Sequence, residues 1–310
     1  MVLYRSLSIA VALALTGCGG SGGGGNDVSP PVVVTPPSYT LSGAAVKGPW
    51  QNAEITLYEM DFAAADKKGK KVGTIRTSAS GQFTGLKIEE PKAKFYLVQA
   101  MTDAQTTELI TGNKPYAEQL TTVVSAAEIK AGKALYMTPL SSLVTELVLL
   151  QSLTDENVQT KLFEAEDKVL TTVGFNLNPT DNILQASPLL LNSGNVAADF
   201  RFRQANEALA VTLFHMLKGS TVSFDQLLKA VAKDISDGQL NGLENNQPLT
   251  VLQAMPDYLA KLQNAVVRYL PIPHTAVLSA DGKDITLDKL AVLLQREAQS
   301  FNSSVDDAAI

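Results

Sequence analysis

The hydrophobic pattern of this chain changes period once, at Met137-Thr138-Pro139-Leu140-Ser141-Ser142-Leu143. Upstream, short apolar runs alternate with polar residues at the period of two that a half-buried strand needs; downstream, apolar residues recur at about 3.6. A single switch of this kind separates a strand-rich segment from a helix-rich one instead of interleaving them, which points to α+β architecture. Thr138 can serve as N-cap and Pro139 as the first helical residue, so the helical part should begin there. The expected fold is a multidomain one, with a β-sandwich over residues 39–137 followed by an all-α helical bundle over residues 138–310.

Within the first segment the expected strands are Tyr39–Val46, Glu54–Glu59, Lys71–Thr77, Gly81–Leu86, Phe95–Ala100, Thr107–Thr111, Gln119–Val124 and Lys133–Met137. Gly48-Pro49, Lys68-Gly69, Ser80-Gly81 and Gly112-Asn113 stand where the chain must reverse. In the second segment, helices are expected from Pro139 to about Ser152, from a Thr154 cap to Gly174, and from Asn195 through Leu217 to Gly219. Others should run from a Ser223 cap to Gly238, over Thr250–Leu270 with Pro256 dividing it, and from a Thr286 cap to about Phe301.

Ahead of both lies a segment that cannot build a core. Arg5 and the apolar run Leu7–Leu15 form a secretory signal over residues 1–17, too short for a bilayer span of about 20 apolar residues. Residues 18–38 form a linker. Gly19–Gly25 is a flexible coil, and Pro30-Pro31-Val32-Val33-Val34-Thr35-Pro36-Pro37 favours extended polyproline geometry.

Leu15-Thr16-Gly17-Cys18 resembles the lipobox of bacterial lipoproteins. That resemblance implies that Cys18, the sole cysteine, becomes the first mature residue and carries acyl chains, with palmitate among the usual ones. Gly19 in place of Asp implies, by the sorting rule of Gram-negative lipoproteins, forwarding to the outer membrane. The side faced, periplasm or cell surface, stays open. Leu41–Tyr58, with its Gly48-Pro49 turn and Asn52-Ala53 step, together with Thr77-Ser78-Ala79-Ser80-Gly81-Gln82-Phe83, resembles the carboxypeptidase-regulatory-like, transthyretin-like domains over roughly residues 39–100. Such modules are mostly β-sandwich spacers or binding units, and the resemblance brings no catalytic residues. Thr138-Pro139-Leu140-Ser141-Ser142-Leu143 is similar to the Thr-Pro-Leu-Thr-Thr-Leu step that follows such modules in many bacterial envelope lipoproteins.

The net charge of −6 argues against nucleic acid as a partner, because such surfaces need basic patches. The two histidines, His215 and His274, fall in different elements without zinc-ligand spacing, and His215 reads as structural. No Gly-x-Ser-x-Gly, phosphate-cradling loop or dinucleotide fingerprint occurs, and Ser193 and Ser220 read as loop residues. Asp234, Asp237 and Asn241 are candidates for a calcium site, since hard oxygens flank Gly238 and Gly242. The EF-hand pattern nevertheless lacks its fifth and twelfth ligands, where Gly238 and Asn245 stand. The competing reading is a helix stop with Gly238 in left-handed geometry. Glu164, Glu166 and Asp167 read as a solvated helix face. Trp50 could offer a stacking platform to a sugar or peptide, or lie over the sandwich core. The expectation is a non-enzymatic lipoprotein, held at the outer membrane by Cys18, that requires no cofactor and presents a binding or scaffolding surface to a protein or glycan of the envelope. The alternative is an envelope hydrolase or carbohydrate-active enzyme with dispersed catalytic residues.

Overall fold

Strands occupy the first part of the described chain and helices the second. The computed structural model describes residues 37–268 except 110–111, 176, 191–195, 218–219 and 256, and also residues 277–278, 284–285 and 297. Cys18, the signal and nearly all of the linker, Ser193, His274 and the last expected helix apart from Glu297 lie outside these residues.

Strand β1 (Ser38–Ala45) leads through the Lys47-Gly48 turn into the short β2 (Trp50–Gln51) and then β3 (Glu54–Met60). After β4 (Lys68–Arg76), β5 (Gln82–Glu89) and β6 (Phe95–Met101) come the two-residue β7 (Thr107–Glu108) and β8 (Gln119–Ser125). One sheet has the order β4-β3-β6-β8, all antiparallel. In a second, β1 lies between antiparallel β5 and parallel β9 (Leu135–Met137). A short pairing of β2 with β7 sets Trp50 opposite Glu108. The turn α1 (Ala126–Lys130) between β8 and β9 is missing from the sequence expectation; Ser125 and Glu128 close a capping box around it. Five residues carry too little periodicity to reveal a helix.

The helical part opens as expected with α2 (Pro139–Leu149), capped by the Thr138 side chain accepting from the Ser141 amide. Helix α3 (Val158–Val173) starts four residues past Thr154, and the residue before it is Asn157, whose side chain accepts from the Thr154 amide and does not cap the helix. Then follow α4 (Val196–Leu217) and α5 (Phe224–Asp234), with a 3-10 turn Ile235–Asp237 closed by left-handed Gly238. The next expected helix is divided into α6 (Thr250–Gln253) and α7 (Tyr258–Arg268); Pro256, expected to divide it, lies outside the described residues. A small hairpin, β10 (Leu243–Glu244) with β11 (Gln247–Pro248), turns through Asn245 and Asn246, both at positive φ. Two consecutive left-handed residues are what a tight hairpin demands, and Asn tolerates them.

The change of period at Thr138 does not divide the core. Leu120 and Val123 of β8 belong to one apolar cluster with Leu140, Leu143 and Leu147 of α2 and Leu227 and Val231 of α5. Residues 36–310 accordingly group as one unit. The join has a polar component too. β8 ends its sheet, so Thr121 would leave backbone groups unpaired against α2. Ser142 Oγ accepts from the Thr121 amide at 2.8 Å, and Ser141 Oγ donates to the Thr121 carbonyl at 2.7 Å. The two serines thus stand in for the missing neighbouring strand.

Gly43 marks the tightest approach within the strands. A Cβ there would stand 1.8 Å from the carbonyl oxygen of Leu135, so β1 and β9 can pair only around glycine. Gly43→Ala should therefore lower stability by roughly 2–4 kcal/mol in a denaturant titration, as expected for overpacking that forces backbone to move.

Candidate functional site

Six residues from distant points of the chain meet in the interior. Lys47 follows β1, Glu108 lies in β7, Tyr116 precedes β8, Arg203 and Glu207 sit one turn apart on α4, and Glu297 arrives from far downstream. Lys47 Nζ stands 3.2 Å from Glu207 Oε2 and 3.7 Å from Glu108 Oε1, and lies over the Tyr116 ring at 5.1 Å from its centroid. Arg203 Nε donates to Glu207 Oε1 at 2.7 Å, and its two terminal nitrogens clasp the Glu297 carboxylate, one of them at 2.8 Å. The Gly48 amide also donates to Glu207 Oε1, at 2.7 Å. All five charged side chains are 5% exposed or less.

Burial of this many charges is tolerated only where each has a partner. The three carboxylates are not equally supplied. Burial works to raise Glu207, but Lys47, Arg203 and the Gly48 amide outweigh it and hold the group down to about 2. Burial pushes Glu108 up and Glu207 adds to this, against Lys47 and Arg203, and its Oε2 has no hydrogen-bond partner among the described residues. Burial also raises Glu297, against the pull of Arg203. Lys47 loses ground to burial and regains more from Glu108 and Glu207, so it rises above its ordinary value.

The backbone explains why these groups converge. Pairing of Trp50 with Glu108, and a hydrogen bond from the Leu109 amide to the Pro49 carbonyl at 2.9 Å, pin the Gly48-Pro49 turn against β7. Gly48, at φ 56°, leaves room for Glu108: a Cβ there would lie 2.0 Å from Glu108 Oε1. On α4, Arg203, Asn206 and Glu207 form one polar stripe at helical spacing. Asn206 Oδ1 accepts from the Leu140 amide at 3.0 Å, supplying an acceptor to the first turn of α2 beside the residue that receives Gly48. The sequence reading missed this cluster. The available signal was weak, because Asp199, Arg201 and Gln204 on the same helix make the stripe of three hard to single out.

The residues singled out from sequence are placed as follows. Trp50 is completely buried, so its ring offers no stacking face to a sugar or peptide and joins the core instead. Asp234, also fully buried, accepts from the amides of Asn241 and Gly242 through Oδ1, at 2.9 and 2.6 Å, and from the Tyr258 hydroxyl through Oδ2, at 2.9 Å. Asp237 accepts from the Gln239 amide and Asn241 from the Leu243 amide. The oxygens proposed for calcium thus hold the loop beyond Gly238 in shape. Among the described residues, no three His, Cys, Asp or Glu side chains gather closely enough to hold a metal ion. His215 is half-buried in α4. Glu164 and Asp167 are exposed, whereas Glu166 is half-buried and accepts from the Leu184 amide at 3.2 Å.

Beyond Asp234 and Tyr258 the surface opens into a groove of about 630 Å³. Leu243, Pro248, Leu252, Met255, Leu259 and Gln263 are among the residues that line it. The groove is broad and open to solvent, and its lining is mainly apolar.

Compared with family models, with curated proteins and with solved structures, the chain matches none.

Arg203→Ala should cost about 3–5 kcal/mol in chemical denaturation, because it strands Glu207 and Glu297 as buried carboxylates, whereas Arg203→Met together with Glu297→Leu should recover much of the loss. A second carboxyl pair sets a pH dependence. Burial and the adjacent Glu118 push Asp225 up to about 7, against the Gln119 amide and Lys229. The folded state therefore holds a proton that the unfolded chain has released, so this group's contribution to stability falls as pH rises from about 4 to about 7. Asp225→Asn should flatten that slope and raise stability at pH 8 by about 1–2 kcal/mol, read from melting curves across pH.

Proposed function

We propose that this chain is a non-enzymatic lipoprotein of the outer membrane, anchored through acyl chains on Cys18, whose folded unit binds an apolar segment of another envelope protein. The two sheets of the first half are read as the sandwich of a transthyretin-like module and the helices behind them as a bundle that carries the binding surface.

The observation that carries the reading is the contrast between groove and charge cluster. A hydrolase needs carboxylates that meet substrate in a recess. Here the convergent carboxylates are sealed from solvent, while the open groove has Leu252 and Met255 in its lining and Asp257 as its charged residue. Such a lining favours apolar side chains of a protein partner. Burial of Trp50 removes the aromatic face that would have favoured a glycan.

The anchor belongs to the same reading. Two or more acyl chains at about 0.8 kcal/mol per buried methylene hold a protein to a bilayer far more firmly than one chain does. The glycine run behind Cys18 and the proline-rich stretch after it would set the folded unit off from the lipid.

Cys18→Ser should shift the protein from the membrane fraction to the soluble fraction with its melting temperature unchanged; a misfolded variant would speak against separable anchor and folded unit. In crosslinked envelopes, Leu243→Lys and Leu259→Lys should each reduce recovery of the partner about tenfold or more while leaving the fold intact. Partner recovery at the wild-type level would overturn the groove as the binding surface. Protease treatment before and after permeabilisation decides which side of the outer membrane is occupied.

A further inference from the structure

Lys47, Glu108 and Glu207 form a set whose arrangement goes beyond an ion pair. The Lys47 amine lies between two carboxylates that play different parts. Glu207 is fixed by Arg203 and by the Gly48 amide, each at 2.7 Å, and stands within hydrogen-bond distance of Nζ at 3.2 Å. Glu108 has no such support: its nearer oxygen is 3.7 Å from Nζ, beyond hydrogen-bond length, and its other oxygen has no hydrogen-bond partner among the described residues. A carboxylate 4% exposed, with its nearest cation 3.7 Å away, is expensive to keep charged.

The backbone holds this pair together on both sides. Trp50 sits opposite Glu108 in the β2–β7 pairing, and the Leu109 amide binds the Pro49 carbonyl. The Glu108 carboxyl carbon lies against Gly48, the residue after Lys47, where a Cβ would meet it at 2.4 Å. Buried Trp50 and the ring of Tyr116 help to exclude water. A held amine and a desolvated carboxyl whose nearer oxygen lies 3.7 Å from Nζ are juxtaposed for condensation without an external catalyst.

We propose that Lys47 and Glu108 become joined by an intramolecular isopeptide bond, with Glu207 as the proton carrier. The Lys47 ammonium passes a proton directly to Glu108, the less supported of its two carboxylate neighbours, leaving a neutral amine beside a neutral acid. The nitrogen lone pair attacks Glu108 Cδ and forms the C–N bond. Glu207 then carries a second proton from that nitrogen to a Glu108 hydroxyl, the C–O bond breaks, and water leaves. The ammonium and the carboxylate become one neutral amide and one water, Glu207 returns to its starting state, and nothing is oxidised or reduced. The product removes two buried charges, leaves Glu207 paired with Arg203, and ties the turn after β1 covalently to β7.

The test is the mass of the folded full-length mature chain, measured after denaturation, with tandem mass spectrometry of a tryptic digest. The expected result is a chain lighter by the mass of one water, resistance to trypsin after Lys47, and a branched peptide joining Lys47 to Glu108. Glu207→Ala should restore the full sequence mass and cleavage after Lys47. Glu108→Gln keeps the shape of the site and should condense with loss of ammonia in place of water, which identifies the acceptor even if Glu207→Ala does not fold. A folded wild-type chain at full sequence mass, or a branch at Glu207, would overturn the proposal.

Discussion

Glu207 is the point through which the two halves of this molecule hold one another. Its carboxylate receives the backbone amide of Gly48 and the ammonium of Lys47 from the strand-rich half, and the guanidinium of Arg203 from its own helix. None of these groups could remain in the interior alone, because an isolated buried charge costs several kcal/mol even after relaxation. Each is retained because the others are present. The arrangement therefore acts less as a reservoir of stability than as a condition on geometry: α4 must lie where it can reach the Gly48-Pro49 turn, or three charges are left in an apolar medium.

The same logic governs the other polar contacts at the join. Ser141 and Ser142 supply the hydrogen bonds that β8 lacks at the end of its sheet, and Asn206 supplies one that the first turn of α2 lacks. Apolar packing of Leu143, Val144 and Leu147 provides non-directional attraction between α2 and its surroundings. Directional partners then select one orientation among the many that would bury similar area. An apolar helix face slides; a hydroxyl that must meet both the amide and the carbonyl of Thr121 does not.

Much of the local structure could be read directly from residue order. The Thr138-Pro139 helix start and the stop at Gly238 both follow from rules that act within a few residues. Two local readings needed changing for equally local reasons: α3 starts after Asn157 and not at Thr154, and α1 is too short for periodicity to reveal. The loop after Asp234 shows what composition leaves out. Its oxygens look like ligands in sequence, and in the fold they meet backbone amides and the Tyr258 hydroxyl brought by α7.

The amino-acid sequence by itself determined the passage from a strand-rich to a helix-rich part and several of the starts and stops within them, because these depend on near neighbours in the chain. Tertiary structure alone decided that the strand-rich and helix-rich segments share one core, that Trp50 is buried, and that Lys47 meets Glu108 and Glu207. Those outcomes depend on contacts between separate elements of the chain, the Lys47 pairs spanning 61 residues or more. No local rule registers a partner that distant; burial of the charges on one side of the join becomes tolerable only once the other side has arrived.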